Sequence, residues 1–251
     1  MKILASDFDG TLYVDNTISE ENMEAIKKFQ DAGNWFGLCT GRVLMGVERC
    51  AKDIDFDFYI LNTGSVVLDK KKEDITRHGF PVEIADEIGE MAYKKADIML
   101  FYENNAYSYK VFNNKRGKGE LTFTVLTSFK ETGAKQLESL SIIFDTEKEA
   151  EEFAAIINEK YPGICSAHQN VDAVDVVAPN CSKATGIDDI QKYYNLDRND
   201  IYVIGDSYND IVMFEAVENS FSFPYAPKNV QDKAKYIVKD IAEAIDMMLS
   251  K

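Results

Sequence analysis

Four aspartates stand in two short polar turns. Asp7 and Asp9 belong to Asp7-Phe8-Asp9-Gly10-Thr11, and Asp206 and Asp210 to Gly205-Asp206-Ser207-Tyr208-Asn209-Asp210. Each turn follows a short apolar run, 2–6 and 201–204, that reads as a buried strand. A third such run, 34–39, leads into Thr40-Gly41-Arg42. If these strands are neighbours, their ends gather at one edge of a sheet. Four carboxylates brought close together cannot all stay ionised without a cation. Oxygen donors suit a hard ion, and Mg²⁺ is the natural candidate. Zinc would favour histidine or cysteine, and neither His78 nor His168 lies in these turns. Mg²⁺ held by a few carboxylates completes its shell with water and phosphate oxygens. Lys183, at the start of a predicted helix after a possible Ser182 cap, adds a second positive element, because helix N-termini attract phosphate. The Thr40 hydroxyl and the backbone amides around Gly10 and Gly41 could also meet phosphate oxygens. The chemistry in prospect is the handling of a phosphoryl group beside a divalent ion.

The elements that must position these residues alternate. Strand 2–6 is followed by an amphipathic helix, 20–32, with Met23, Ile26, Lys27 and Gln30 at helical spacing. Ser19 is its expected N-cap and Gly33 its expected stop. Strand 34–39, a helix through about 52 and strand 58–61 follow. This is the alternation of a parallel α/β sheet. From about residue 66 the character changes. A small hairpin at 66–68 and around 75 precedes a helix at 82–95. Strands at 98–103, 106–111 and 121–129 lie close together and read as antiparallel. Strand 140–144, helix 148–161 and strands 164–168 and 173–177 complete an α+β stretch. Alternation then resumes with helix 183–194, strand 201–204, helix 211–217, strand 220–223, a short helix at 229–234, strand 236–238 and helix 241–249. The expected fold is thus α/β, a Rossmann-like doubly wound parallel sheet core with an inserted α+β domain. The expected division is a core of 1–81 and 179–251 and an insertion of 82–178.

The 251 residues are 45% hydrophobic and 28% charged, which are globular proportions. The formal net charge of -15 argues against nucleic acid and anionic membrane as partners. It also means that an anionic substrate needs local positive charge. No apolar run approaches the roughly 20 residues of a membrane span, and 1–10 has no signal-peptide character. Cys39, Cys50, Cys165 and Cys181 form no C-x-x-C pair and no disulfide-like framework. A soluble, reduced, cytoplasmic protein is expected.

Taken together, Asp-Phe-Asp-Gly-Thr-Leu at 7–12, Thr-Gly-Arg at 40–42, the helix-initial Lys183 and Gly-Asp-Ser-Tyr-Asn-Asp at 205–210 resemble the four motifs of the haloacid-dehalogenase-like hydrolases. The resemblance covers nearly the whole chain. The insertion falls between the second and third motifs and looks like the α/β cap of the Cof-type sugar phosphatases (class IIB). The resemblance implies a Mg²⁺-dependent phosphatase acting on a small phosphorylated metabolite. In it Asp7 matches the nucleophile and Asp9 the general acid and base. Asp7, the Asp9 backbone carbonyl and Asp206 match the metal ligands. Thr40, Gly41, Lys183 and Asn209 match phosphate-binding positions, and Asp210 a supporting acid behind them. One departure stands out: where the family carries a glycine- and Asn-Ala-containing turn after strand 220–223, this chain reads Phe-Ser-Phe-Pro-Tyr-Ala-Pro-Lys-Asn-Val from Phe221. Substrate contacts on that side are less transferable.

Two other functions share this residue set. A phosphomutase would use the same aspartyl-phosphate, and a silent phosphometabolite-binding protein would keep the fold without turnover. The intact Asp9 disfavours the second. No G-x-S-x-G turn and no G-x-x-x-x-G-K-[ST] loop is present. Arg42 reads as a structural ion-pair partner, and His168 as either a buried structural histidine or a residue facing substrate.

Overall fold

The protein, represented by a computed structural model that describes residues 1–103, 105–113 and 122–250, divides into two compact units. The first comprises Met1–Thr76 with Ser182–Lys251, the second Arg77–Cys181. The first stretch of the chain contains β1 (Ile3–Ser6), α1 (Glu20–Asp31), β2 (Trp35–Cys39), α2 (Leu44–Glu48), β3 (Phe58–Leu61), β4 (Val66–Asp69) and β5 (Asp74–Arg77). The inserted stretch contains β6 (Phe80–Pro81), α3 (Val82–Ala92), β7 (Asp97–Tyr102), β8 (Asn105–Tyr109), β9 (Thr124–Leu126), β10 (Gln136–Leu137), β11 (Ser139–Ile143), α4 (Glu147–Lys160), β12 (Ser166–Asn170) and β13 (Ala173–Val177). The last stretch contains α5 (Lys183–Tyr194), β14 (Ile201–Ile204), α6 (Ile211–Ala216), β15 (Asn219–Ser222), α7 (Lys228–Gln231), β16 (Tyr236–Ile237) and α8 (Ile241–Leu249).

The sheet of the first unit runs β16-β15-β14-β1-β2-β3-β4-β5. Its pairs from β16 through β3 are parallel, and β3 meets β4 antiparallel. Chain order reverses between β1 and β14, so the sheet is doubly wound, as the sequence indicated. Strand residues alternate between two faces. Leu4, Phe36, Leu38, Tyr202 and Ile204 pack with Ile26, Phe29, Ile245 and Met248 from α1 and α8. Ile3, Ala5, Ile201 and Val203 pack with Ile187, Ile190, Met213 and Phe214 from α5 and α6. The Val, Leu, Ile, Phe and Met side chains among them each contribute on the order of 1.5–3 kcal/mol when fully buried. Burial on both faces explains why these strands read as continuous apolar runs.

Ser19 caps α1, its Oγ accepting from the Asn22 amide, and Gly33 follows it at φ +82°. The inward face of α1 differs from the expected one. Asn22, Ile26 and Phe29 are buried, whereas Lys27 is exposed and Gln30 reaches Asp57. Polar Asn22 is buried because its Oδ1 accepts from the Ala242 amide of α8. Helix α2 ends at Glu48 rather than about 52; Gly46 and β-branched Val47 are weak helix formers.

In the second unit a sheet ordered β12-β13-β11-β7-β8-β9 shares an apolar core with α3 and α4. Residues 77–81, expected in the core, belong to this unit because Phe80–Pro81 pairs with Gln136–Leu137. The expected antiparallel run also changes: β8 and β9 are parallel. Parallel neighbours cannot be joined by a tight hairpin turn. Leu121, the expected start of that last strand, lies outside the described residues. His168 is a structural residue, its Nε2 lying 2.8 Å from the Cys181 carbonyl oxygen, and burial lowers its pKa. All four cysteines are free. No helix among the described residues is long and apolar enough to cross a membrane.

Candidate active site

Residues Ile3–Ser6 of β1 pair in register with Ile201–Ile204 of β14, and the Asp7 amide donates to the Ile204 carbonyl at 2.9 Å. Asp7 is therefore the last residue of β1 held by the sheet, and Gly205-Asp206 leaves the strand beside it. These two ends flank the point where chain order reverses, where open α/β sheets bind ligands. On the other side of β1, Ser6 pairs with Leu38 of β2. Thr40 thus begins the neighbouring loop.

Lys183 is the first residue of α5. Ser182 caps the helix reciprocally with Thr185: Ser182 Oγ accepts from the Thr185 amide, and Thr185 Oγ1 accepts from the Ser182 amide. A cation at this end opposes the helix dipole, so local helix energetics do not explain it. Its partners do. Lys183 Nζ, fully buried, donates to Asp7 Oδ1 at 2.6 Å and to Asp210 Oδ1 at 2.5 Å. Burial lowers its pKa, but Asp210 and Asp7 outweigh that and hold it above the ordinary lysine range, so it stays cationic.

Asp210 has its other oxygen committed as well. Its Oδ2 accepts from the Asp206 and Ser207 amides at 2.9 and 2.8 Å. This acid therefore folds the Gly205–Asp210 turn and aims Lys183. Asp206 accepts Thr11 Oγ1 at 2.6 Å on Oδ1. Gly10 sits against the same carboxylate at φ +82°, and a Cβ there would fall 2.5 Å from Asp206 Oδ2. Only glycine combines that left-handed backbone with so close an approach.

Asp7, Asp206 and Asp210 each present an oxygen within 4.8 Å of the others'. Three carboxylates face one ammonium, a surplus of two negative charges. Burial pushes the Asp7 carboxyl well above the usual range; Lys183 opposes the rise, while Asp210 and Asp206 add to it. Asp206 is raised to about 6, chiefly by burial. Raised acids mark a site that seeks either protons or a dication. The donor set fits Mg²⁺: Lys183 and Thr11 each engage one oxygen of Asp7 and Asp206, leaving a second on each. The β-bridge between Asp9 and Tyr13 uses the Phe8 carbonyl and the Gly10 amide, so the Asp9 carbonyl projects out of it. Asn209 Oδ1 is buried with no hydrogen-bond partner among the described residues, an acceptor still in want of a donor.

The Asp9 carboxylate points elsewhere. Arg42 holds it with a two-pronged pair, Nε to Oδ2 at 2.6 Å and Nη2 to Oδ1 at 2.5 Å. The guanidinium lies over the Phe8 and Tyr13 rings and also donates to the Gly46 carbonyl. Arg42 is thus an ion-pair partner, as its sequence context indicated. Thr40 is buried, its Oγ1 accepting from the Arg42 amide at 3.1 Å.

Of the residues singled out in the sequence, direct bonds join Asp7, Lys183, Asp210 and Asp206. Asp9 is joined instead to Arg42, and Thr40, Gly41 and Asn209 occupy the adjoining loops. Two features escaped the sequence reading. The first is the turn Asn62–Gly64, whose three residues all have positive φ. The Asn62 and Thr63 amides donate to the Arg42 and Thr40 carbonyls, which fixes the Thr40–Arg42 loop. An Asn-x-Gly at the end of an apolar strand was the available signal. The second is Tyr225, whose hydroxyl donates to the Gly10 carbonyl at 2.6 Å. Only the departure from the family turn pointed there.

A family model for haloacid dehalogenase-like hydrolases matches residues 4–245. The chain belongs to that family. Among its relatives, the 5-amino-6-(5-phospho-D-ribitylamino)uracil phosphatase YwtE of Bacillus subtilis is 25% identical, with 100% of this chain and 99% of that protein covered. A putative phosphatase of Haemophilus influenzae is 24% identical over 94% of this chain and 92% of that protein. The solved structure of the HAD subclass IIB sugar phosphatase BT4131 superposes with a TM-score of 0.82 at 21% identity, covering 100% of this chain and 98% of that one. The phosphatase BT1666 of Bacteroides thetaiotaomicron gives 0.83 at 22%, covering 100% and 94%. The expected family, fold and hydrolase class are borne out. These haloacid dehalogenase-like proteins share the α/β core with an inserted cap.

Proposed function

We propose that the protein is a Mg²⁺-dependent phosphatase that cleaves a small phosphomonoester through an aspartyl-phosphate on Asp7. The observation that carries this reading is the buried Lys183 ammonium bridging Asp7 and Asp210 beside Asp206, a cluster two charges short of neutrality. Asp7, Asp206 and the Asp9 carbonyl would hold the ion, which supplies positive charge against the phosphoryl oxygens. Lys183 holds the Asp7 carboxylate and offsets its charge, which positions Asp7 as the nucleophile. One Asp7 carboxylate oxygen forms the new O–P bond as the ester O–P bond breaks. Asp9, released from Arg42 and protonated from solvent, delivers that proton to the departing alkoxide. The same carboxylate then takes a proton from water, which attacks phosphorus and frees Asp7 and inorganic phosphate. Thr40, Gly41 and Asn209 contact the phosphoryl oxygens.

Relatives in Bacillus subtilis are named for a phospho-D-ribitylamino-uracil, and one solved neighbour is named a sugar phosphatase. A phosphorylated sugar or sugar alcohol is accordingly the proposed substrate class, with the inserted unit setting the choice. The test is phosphate release from a panel of phosphorylated sugars, sugar alcohols and nucleotides with Mg²⁺ and with EDTA, for the wild type and Asp7→Asn. Release that needs Mg²⁺ and vanishes in a folded Asp7→Asn protein supports the reading. Turnover surviving in that variant removes Asp7 from its role. Isomerised phosphosugar without free phosphate would instead identify a mutase.

A further inference from the structure

The turn after β15 is stiff and reaches the site. Phe223 is buried, and the Tyr225 ring stacks on it with centroids 4.9 Å apart and planes 10° apart. Pro224 and Pro227 restrict the backbone on either side. The Ala226 amide donates to the Phe223 carbonyl, and Gln231 Nε2 donates to the Pro224 and Ala226 carbonyls at 3.0 and 2.8 Å. From this base the Tyr225 hydroxyl donates to the Gly10 carbonyl at 2.6 Å. Tyr225 is 58% exposed, yet desolvation of its hydroxyl end, and then the Asp206 and Asp7 charges, push the phenol pKa up, so it stays a neutral donor.

Gly10, with no Cβ and φ +82°, has the widest backbone choice in the Asp7–Thr11 turn. Its amide is tied to the Tyr13 carbonyl. Its carbonyl is tied only by Tyr225 among the described residues. The peptide on one side of Gly10 carries the Asp9 carbonyl, and the peptide on the other leads to Thr11, whose hydroxyl holds Asp206.

We propose that Tyr225 is a positioning residue of the site: its hydroxyl locks Gly10, and through Gly10 it sets the spacing of the Asp9 carbonyl and the Asp206 carboxylate around the cation. Tyr225 touches neither the reacting atoms nor the ion. It replaces, with a bond from the neighbouring turn, the restraint that a side chain at residue 10 cannot supply. This inference rests on the Mg²⁺ reading of the site.

Tyr225→Phe removes the hydroxyl and keeps the stacked ring. The full-length protein is compared with the wild type by calorimetric titration of Mg²⁺ without substrate, by thermal melting, and by kcat and KM for p-nitrophenyl phosphate. The expected result is Mg²⁺ binding weakened by about 3- to 10-fold, the range one neutral hydrogen bond supports. With Mg²⁺ subsaturating, kcat falls by a similar factor while KM stays within about twofold, and saturating Mg²⁺ restores kcat. Unchanged Mg²⁺ affinity in the variant overturns the inference, whatever happens to the melting temperature. If the wild type binds Mg²⁺ and turns over, that failure leaves the phosphatase reading standing. A wild type that binds no Mg²⁺ overturns both.

Discussion

Replacing Lys183 by Met tests the electrostatic core of the site directly. Lys183 Nζ is fully buried and lies 2.6 and 2.5 Å from two carboxylate oxygens, with Asp206 in the same cluster. Methionine fills similar space but leaves three acids with no cation. Removing one partner of a buried ion pair costs about 3–5 kcal/mol, because the remaining charge stays desolvated. For a chain of this length each kcal/mol moves the melting temperature by about 2–4 °C, so the metal-free variant should melt about 6–20 °C below the wild type at pH 7.5. Protons can replace the missing charge. Asp7 is already pushed up by burial, so the gap should shrink as pH falls toward 5. Mg²⁺ should shrink it too, since a dication bound at a hundred times its Kd adds about 2.7 kcal/mol to the folded state and meets a more negative site in the variant. The assay is thermal melting of both proteins in EDTA and in saturating MgCl₂ at two pH values. A gap below about 2 °C in EDTA, or one that Mg²⁺ leaves untouched, would refute the charge-surplus argument.

Two further outcomes follow from the same geometry. Asp206 has a folded-state value of about 6, above its ordinary 3.8, so the folded protein binds more protons than the unfolded chain between those values. The metal-free wild type should therefore lose stability relative to Asp206→Asn as pH rises from about 4 to 6, with no further change above; a flat difference across that window contradicts the raised acid. Gly10→Ala places a methyl 2.5 Å from Asp206 Oδ2 at φ +82°. The left-handed backbone alone costs about 1–2 kcal/mol, and displacement of Asp206 should weaken Mg²⁺ binding in calorimetry; wild-type affinity in that variant would show that the close approach is dispensable.

Much of this site was legible because its parts are local. Asp7 and Asp206 each end a continuous apolar strand, and such runs are recognisable whenever both faces of a sheet are covered. Ser19 and Ser182 announced their helices through short-range capping bonds, and α5 and β14 have the expected bounds. What the sequence concealed depends on partners distant along the chain. Nothing near Asn22 indicates that Ala242 will satisfy it inside the core. Nothing near Thr124 says that β9 will run parallel to β8, since side chains alternate along a strand in the same way whichever direction it runs. The Arg42 clasp on Asp9 and the reach of Tyr225 to Gly10 join residues 33 and 215 positions apart. Residue type alone left Arg42 as an ion-pair partner without naming the acid.

The turn at Asn62–Gly64 has a bearing on how such a chain can vary. Gly64, at φ +90°, lies so close to Ser182 that a Cβ would come within 2.0 Å of the Ser182 carbonyl oxygen. The register of the lysine-bearing helix is thus fixed against the turn that follows β3 and by its own first-turn cap. Both restraints lie inside the first unit, which the chain leaves at Thr76 and re-enters at Ser182. Variation in the segment between leaves those two restraints in place.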